Sequence, residues 1–113
     1  MLIFKIAEGD SWQAAQTSGE FRGSADDSRD GFIHFSTAEQ TRATAAKHFS
    51  GRAGLVIVAI DADRLGPALK WEASRGGALF PHLYAALPMD AVAWWRAIQL
   101  GDDGVHILPS EVV

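Results

Sequence analysis

The chain has 113 residues, of which 48% are hydrophobic, and it carries a formal net charge of −4. Its length fits one domain, and its apolar content is that of a folded protein rather than a disordered one. The scattered Lys and Arg residues argue against tight binding to a nucleic-acid backbone, and the absence of cysteine excludes disulfides, thiolate metal sites and a cysteine nucleophile.

The apolar run at the N-terminus is too short for a secretion signal, and no stretch approaches the ~20 apolar residues of a membrane helix. We therefore expect a cytoplasmic protein that does not enter the membrane. No internal repeat or low-complexity tract divides the sequence, so residues 1–113 are expected to form a single domain.

The first 30 residues contain one predicted strand and one predicted helix. Residues 2–7 are typical of a strand, and Asp10 is expected to cap a helix that Gln13 supports by reaching back. Gly19 can end that helix. The stretch 20–30 is rich in Ser, Asp and Gly, and this composition predicts a surface loop.

The segment from Gly31 to Gly51 predicts a strand followed by a helix. Residues 31–36 are aromatic and β-branched, as in a strand. Two overlapping capping-box patterns follow, Ser36 with Glu39 and Thr37 with Gln40, and they predict a helix that runs to about Phe49 and is closed by Gly51. Helical spacing predicts its inward face to be Ala38, Thr41, Ala45 and Phe49.

The second half of the chain predicts short strands. Residues 55–60 form a continuous apolar run and indicate a central strand that is covered on both faces. Further strands are expected over 69–72, 80–84 and 92–100, with Pro81 near a strand start or at a sheet edge. A hairpin is expected across 101–104. This pattern favours an α+β fold over a doubly wound α/β fold.

The first candidate site lies around His34. Strand alternation puts Phe32, His34 and Ser36 on one face, beside the backbone N–H groups at the start of the next helix. Such a helix start favours an anionic or carbonyl-bearing ligand. The structural alternative is a histidine that bonds a backbone carbonyl, with Ser36 and Thr37 serving only as helix caps.

Two further candidate clusters lie in the predicted strands 69–72 and 80–84. Glu72, beside Trp71, can act as a carboxylate of raised pKa or as an acceptor for a ligand hydroxyl. His82 and Tyr84 share a face and can bond ligand hydroxyls or stack on a planar ring. The alternatives are an exposed glutamate beside a core tryptophan, and an edge strand with two amphipathic side chains.

Other kinds of site lack their sequence patterns. The histidines show no metal-binding spacing, so we predict no metal site, and His48 and His106 are expected at the surface. The chain has no Gly-x-Ser-x-Gly elbow and no recognised phosphate-binding loop.

Read in order, several segments resemble a family of short bacterial proteins known as domain of unknown function 952. They are 4–6, Trp12, 31–37, 40–49, 71–72 and 80–84, and the signature consists of Gly-Phe-Ile-His-x-Ser-Thr followed later by Phe-Pro-His-Leu-Tyr. The resemblance covers essentially the whole chain. In this sequence the variable position after His34 is Phe35.

That family is similar in fold to the ADP-ribosyltransferase superfamily. The resemblance implies split antiparallel β-sheets with two short helices and a cleft that holds NAD in the active members. It implies that His34, with Ser36 or Thr37, contacts the dinucleotide, although Phe35 stands where several relatives have glycine. Glu72 is our assignment for the catalytic glutamate, which no motif secures.

Three functional hypotheses follow. The first is an ADP-ribosyltransferase-like enzyme that uses NAD as substrate, with Glu72 and His34 as catalytic residues. The second is a binding module for a ribose-containing ligand that performs no chemistry. In both, the predicted ligand-binding residues are His34, Ser36, Thr37, Trp71, His82 and Tyr84. The third is an interaction surface formed by Trp94 and Trp95, which leaves the protein a monomer or a homodimer.

Overall fold

Two three-stranded antiparallel sheets organise residues 1–112, the part of the chain that this computed structural model describes. The first sheet has the order β1 (Leu2–Glu8), β4 (Leu55–Asp61), β8 (Val92–Ala97). The second has the order β3 (Ile33–His34), β6 (Leu79–Leu83), β5 (Leu69–Ala73). Two short ribbons pair β2 (Glu20–Phe21) with β7 (Leu87–Pro88), and β9 (Gln99–Leu100) with β10 (His106–Ile107).

In the described residues three α-helices accompany the sheets: α1 (Gly9–Ser18), α2 (Ala25–Asp30) and α3 (Ala38–His48). Antiparallel sheets with few helices confirm the predicted α+β class. No helix in the described part of the chain is long and apolar enough to cross a membrane.

Strand β4 is the centre of the first sheet, as its apolar run predicts. Residues 55–60 are all buried, and β1 and β8 pair with the strand on either side. Because successive side chains point to opposite faces, β4 contributes to two separate cores. One contains Val56, Val58 and Ile60, and the other contains Leu55, Ile57 and Ala59.

Helix α3 follows the predicted capping pattern. The Thr37 hydroxyl accepts the Gln40 N–H at 3.3 Å, and the Gln40 side-chain oxygen accepts the Thr37 N–H at 3.0 Å. The predicted inward face is confirmed, since Thr41 and Ala45 are buried and Ala38 and Phe49 are half-buried. The chain turns out of the helix at Gly51, which has a φ of 75°.

Three local predictions are wrong. The stretch 20–30 contains β2 and α2 instead of a loop, so residues 1–112 contain three α-helices rather than two. Asp10 lies inside the first turn of α1, because β1 continues to Glu8 and the Gly9 N–H donates to the Gly54 carbonyl at 2.8 Å.

The third wrong prediction concerns Pro81, which lies in the central strand β6 rather than in an edge strand. The ladder between β3 and β6 ends at the pair His34 and His82, one residue before Pro81 is reached. The Pro81 carbonyl still accepts the Phe35 N–H at 3.0 Å. Pro81 has no N–H to donate, but the ladder between β3 and β6 has already ended at this position, so no ladder hydrogen bond is lost.

The adjacent tryptophans of β8 point to opposite faces, as alternation requires. Trp94 is half-buried, with its ring 6.1 Å from that of Phe4, whereas Trp95 is 41% exposed and meets Trp12 edge-on at 6.5 Å. Trp95 therefore combines an exposed surface with a role in the core. The interaction surface predicted for Trp94 and Trp95 stays a prediction.

In the part of the chain that the structure describes, backbone hydrogen bonds join the two three-stranded sheets at one bridge. The Phe4 N–H donates to the Ser36 carbonyl at 2.8 Å, and the Ser36 N–H donates to the Phe4 carbonyl at 2.9 Å. The bridge brings Lys5 of β1 next to the end of β3, where His34 lies. This junction between the sheets is where the cavity described below opens.

Candidate functional site

A cavity of about 290 Å³ lies where β1, α2, the end of β3, α3 and β6 meet. Aromatic side chains form part of its wall, among them those of Phe35 and Phe80. The polar groups that matter for its chemistry are Lys5, Asp27, His34, Ser36, Thr44 and His82. Apolar walls with a few convergent polar groups are typical of small-molecule sites.

Asp27 is the centre of the hydrogen bonding in the cavity. Its Oδ1 lies 2.7 Å from His34 Nδ1 and accepts the His34 backbone N–H at 3.1 Å. Its Oδ2 lies 2.9 Å from Lys5 Nζ and accepts the Ser24 N–H at 2.8 Å. Asp27 is only 1% exposed, so this one buried carboxylate ties together β1, α2 and β3.

The pKa values of the buried pair reflect two opposing effects. Burial by itself would raise the pKa of Asp27, but the hydrogen bond from His34 and the charge of Lys5 outweigh it and hold that pKa well below its usual range. Burial lowers the pKa of Lys5, and the nearby Asp27 carboxylate opposes this. Asp27 is therefore a carboxylate that orients His34 throughout the ordinary pH range.

His34 has a carboxylate at each ring nitrogen. Besides the bond between Nδ1 and Asp27, its Nε2 lies 3.0 Å from Oδ2 of Asp30. The side chain is 37% exposed, so the ring forms part of the cavity wall and still reaches solvent. Because carboxylates accept only, both nitrogens of the ring are placed as donors, which leaves no basic ring nitrogen for a ligand.

A second histidine lies directly opposite the first. His82 of β6 is the register partner of His34 of β3, and the ring centroids are 5.4 Å apart. His82 Nδ1 lies 2.9 Å from Oε1 of Glu72, and the Tyr84 hydroxyl donates to the same oxygen at 2.7 Å. The two histidines thus each have their own carboxylate.

The carboxylate of Glu72 is held in its ionised form. The hydrogen bond from Tyr84, followed by that from His82, lowers the pKa of Glu72. The hydrogen bond between Tyr84 and Glu72 also raises the pKa of Tyr84, since the phenol proton is shared with a carboxylate. The raised pKa that the sequence suggested for Glu72 is therefore wrong, because its two donors stabilise the charge.

Phe32 packs against the side chains of both histidines. Its ring stacks on that of His82 with centroids 4.1 Å apart and an angle of 25° between planes, and it lies 4.5 Å from the His34 ring and 5.1 Å from the Tyr84 ring. Phe32 is half-buried, and with Tyr84 it also lines a second cavity of about 250 Å³. It therefore limits the movement of both imidazoles.

The predicted residues after His34 divide between the cavity and the helix cap. Ser36 lines the cavity, with its hydroxyl 3.0 Å from that of Thr44, whereas Thr37 acts as the cap of α3 and does not line it. The backbone N–H of Ser36 donates to Phe4, and that of Thr37 donates to Gln40. Neither of these two amides is available to a ligand in this conformation.

Glu72 and Trp71 also lie away from the cavity. Glu72 does not line it and contacts it only through His82. Trp71 points to the opposite face of β5, is 39% exposed and lines neither cavity described above. Tyr84 reaches the site through Glu72. Among the residues predicted from sequence, the structure therefore brings His34, Ser36 and His82 to the main cavity.

The sequence interpretation missed Asp27 and Lys5. Two signals were present: Ser24 and Asp27 have capping-box spacing, and Lys5 is the only charged residue in the apolar stretch 2–7. His106 was also misplaced. It is 6% exposed, with Nε2 2.7 Å from the Arg52 carbonyl, so the expected surface position is wrong.

Metal binding finds no geometric support at this site. Within residues 1–112, no group of three or more His, Asp or Glu side chains is arranged to hold a metal ion. The carboxylates around the two histidines are instead paired with Lys5, the ring nitrogens and Tyr84.

A family model and solved structures of one protein, CC0527, are similar to this chain. A family model described as a protein of unknown function, DUF952, matches residues 6–95. The crystal structure of protein CC0527 from Caulobacter crescentus is 50% identical in sequence, with a TM-score of 0.94 over 99% of this chain and 98% of that one. A solution NMR structure of CC0527 is 53% identical, with a TM-score of 0.83 over 92% and 90%. No curated protein matches the chain.

Proposed function

The chain belongs to the DUF952 family, and we propose that its cavity binds a ribose-containing nucleotide, for which NAD and ADP-ribose are the first candidates. The proposal combines the similarity to ADP-ribosyltransferases noted for the sequence with the chemistry of the cavity wall. The position of His34 carries it.

His34 can donate from Nε2 to a hydroxyl-rich ligand that displaces the exposed carboxylate of Asp30, which lies 3.0 Å from that nitrogen. Asp27 fixes the ring through Nδ1 and its backbone N–H, so the imidazole does not lose rotational freedom when a ligand arrives. The Ser36 hydroxyl lines the same cavity, and Arg29 and Lys47 add positive charges to a wall that also contains Asp26 and Asp30. Hydroxyl and cationic donors suit the ribose and phosphate groups of a nucleotide.

The size and apolar walls of the cavity suit one part of such a ligand. About 290 Å³ is near the lower end of the ~300–1,000 Å³ range of ligand pockets. A nucleoside-sized group fits a volume of that kind, with the remainder of a dinucleotide lying in the open mouth. Phe35 and Phe80 provide apolar surface for a planar base or nicotinamide ring.

Binding without turnover is the second candidate function, and the position of Glu72 favours it. A transferase needs a group that stabilises the positive charge developing at the ribose carbon. Glu72, the residue to which we assigned that task, accepts bonds from His82 and Tyr84 and does not line the cavity. A direct role for Glu72 therefore has less support than the binding role of His34.

Calorimetric titration of NAD and ADP-ribose tests the proposal. We expect micromolar binding, about −8 kcal/mol, and at least a tenfold weaker affinity in His34→Ala. Arg42→Ala is the matched control, because it also removes a basic side chain but from an exposed position outside the cavity. Absence of binding to the wild-type protein at millimolar ligand would remove NAD and ADP-ribose as candidates.

Glu72→Gln separates the two candidate functions. If Glu72 only orients His82 and does not contact the ligand, the variant is expected to bind ADP-ribose within about twofold of wild type. The amide of glutamine keeps an acceptor oxygen for His82 and Tyr84. The same titration measures this affinity. A tenfold loss of affinity would show that the charge of Glu72 contributes to ligand binding, directly or through His82, and would favour the enzyme hypothesis for this residue.

A further inference from the structure

His82 differs from His34 in how its two ring nitrogens are bonded. Nδ1 is paired with Glu72 at 2.9 Å, whereas no atom of the described residues forms a hydrogen bond with Nε2. The residue is only 5% exposed and lines the main cavity. Because Glu72 lies outside the cavity, the Nε2 edge is the part of the ring that remains for a ligand.

The bond to Glu72 determines where the proton of the neutral ring resides. An ionised carboxylate only accepts hydrogen bonds, so Nδ1 must donate and Nε2 keeps its lone pair. The Tyr84 hydroxyl donates to the same Glu72 oxygen and holds it in place. Stacking of Phe32 on the imidazole at 4.1 Å restricts a ring flip that would exchange the two nitrogens.

We propose that His82 is the proton acceptor of the cavity and that Glu72 is the residue that positions it. Nε2 takes the proton from a hydroxyl of the bound ligand, the hydroxyl oxygen keeps the electron pair, and Nδ1–H stays bonded to Glu72. The carboxylate then stabilises the imidazolium that forms. Only the identity of that hydroxyl, on ribose or on an acceptor molecule, rests on the proposed nucleotide ligand.

His34 does not compete for this role, although its ring is 5.4 Å away. Both of its nitrogens face carboxylates, those of Asp27 and Asp30, so neither is available as a base. The two imidazoles are therefore not equivalent: His34 holds the ligand and His82 accepts the proton. The distance between them allows one ligand group to contact both.

Nitrogen NMR of the full-length, ligand-free protein tests the assignment. We expect neutral His82 to carry its proton at Nδ1, whereas His106, whose Nε2 faces the Arg52 carbonyl, carries it at Nε2 and serves as an internal reference of opposite tautomer. On acidification of the folded protein, His82 is expected to gain a proton at Nε2 and to retain its Nδ1–H signal. The titratable groups facing His82 are Glu72 and Lys70 of β5, Tyr84, and His34 of β3.

Substitution of Glu72 tests the positioning role. Glu72→Ala is expected to reduce the Nδ1–H tautomer of His82 from the dominant to the minor form, whereas Glu39→Ala, which removes an exposed glutamate of α3, leaves it unchanged. A dispersed amide spectrum establishes that each variant is folded. A wild-type ring with its proton at Nε2, an unchanged tautomer in Glu72→Ala, or no protonation at Nε2 before acid unfolding would each overturn the proposal.

Addition of ADP-ribose separates this inference from the proposed ligand. A shift of the His82 Nε2 signal on binding supports direct contact, whereas binding that leaves Nε2 unmoved makes His82 structural and overturns its role as proton acceptor. If ADP-ribose does not bind, the proposed ligand fails. The tautomer and the site of protonation, measured without ligand, then still decide the assignment of His82.

Discussion

Asp27→Asn is expected to destabilise the fold by about 3–5 kcal/mol, which is the usual cost of removing one partner from a buried ion pair. The substitution keeps the size of the side chain and one acceptor oxygen, but it removes the negative charge. Lys5, 7% exposed and 2.9 Å from the carboxylate, then loses its ion-pair partner. Urea unfolding of the wild type and the variant measures the difference.

The companion variants isolate the ion pair from the other bonds of Asp27. Lys5→Met removes the buried ammonium while His34 and two backbone N–H groups still bond Asp27. We therefore expect the double variant Lys5→Met/Asp27→Asn to be more stable than Asp27→Asn alone, with a clear coupling term in the cycle. A cost below about 1 kcal/mol for Asp27→Asn would show that the pair adds nothing to stability.

Acid provides a further check on the same carboxylate. The pKa of Asp27 in the folded state is held below its usual value of about 3.9, so its contribution to stability is present above that pH and is lost as pH falls through the lower folded-state pKa. The stability difference between wild type and Asp27→Asn is therefore expected to shrink below about pH 4. A difference that stays constant or grows in acid would contradict the pairing.

Elements that carry a strong local signal were predictable from the sequence. The apolar run of β4 and the capping box of α3 depend on residues close together in the chain, and both were placed within a residue or two. Alternation also put His34 and Ser36 on the same side, because a strand has a strict two-residue period. These features required no knowledge of tertiary contacts.

Helix α2 was missed because its stability is not local. It has six residues, and its one buried side chain is the carboxylate of Asp27 rather than an apolar group. The contacts that hold it are made to Lys5, 22 positions earlier, and to His34, seven positions later. The composition of this segment, rich in Ser, Asp and Gly, therefore predicted a loop. Tertiary contacts instead stabilise the segment as a helix that forms part of the cavity wall.

The pairing of the two histidines depends on strand register, which the sequence did not specify. His34 and His82 belong to strands 48 positions apart, and they meet because β3 pairs with β6 in the register that joins these residues. A second register, that of β5 against β6, pairs Lys70 with His82 and so places Glu72 diagonally beside His82 rather than in the cavity. Site residues on single strands were thus foreseeable, whereas their grouping across strands was not.

Trp12→Ala is expected to cost about 3–5 kcal/mol, the usual range for truncating a buried aromatic side chain. Trp12 lies on α1, is 1% exposed, and packs against the rings of Phe21 at 5.8 Å and Trp95 at 6.5 Å. Its loss would open a cavity between α1, β2 and the first sheet. Thermal and urea unfolding of the variant measure the effect.

Trp12→Phe is the matched control, and its expected effect follows from the polar end of the indole. Trp12 Nε1 is buried without a hydrogen-bond partner among the described residues, so the native side chain already carries the desolvation cost of an unpaired donor, about 1–3 kcal/mol. Phenylalanine removes that donor while it keeps most of the aromatic contact with Phe21. We therefore expect Trp12→Phe to lie within about 1 kcal/mol of wild type, since relief of the unpaired donor offsets the smaller ring. If Trp12→Phe is as destabilising as Trp12→Ala, the volume of the indole outweighs its unpaired N–H, and the core around α1 tolerates no loss of size.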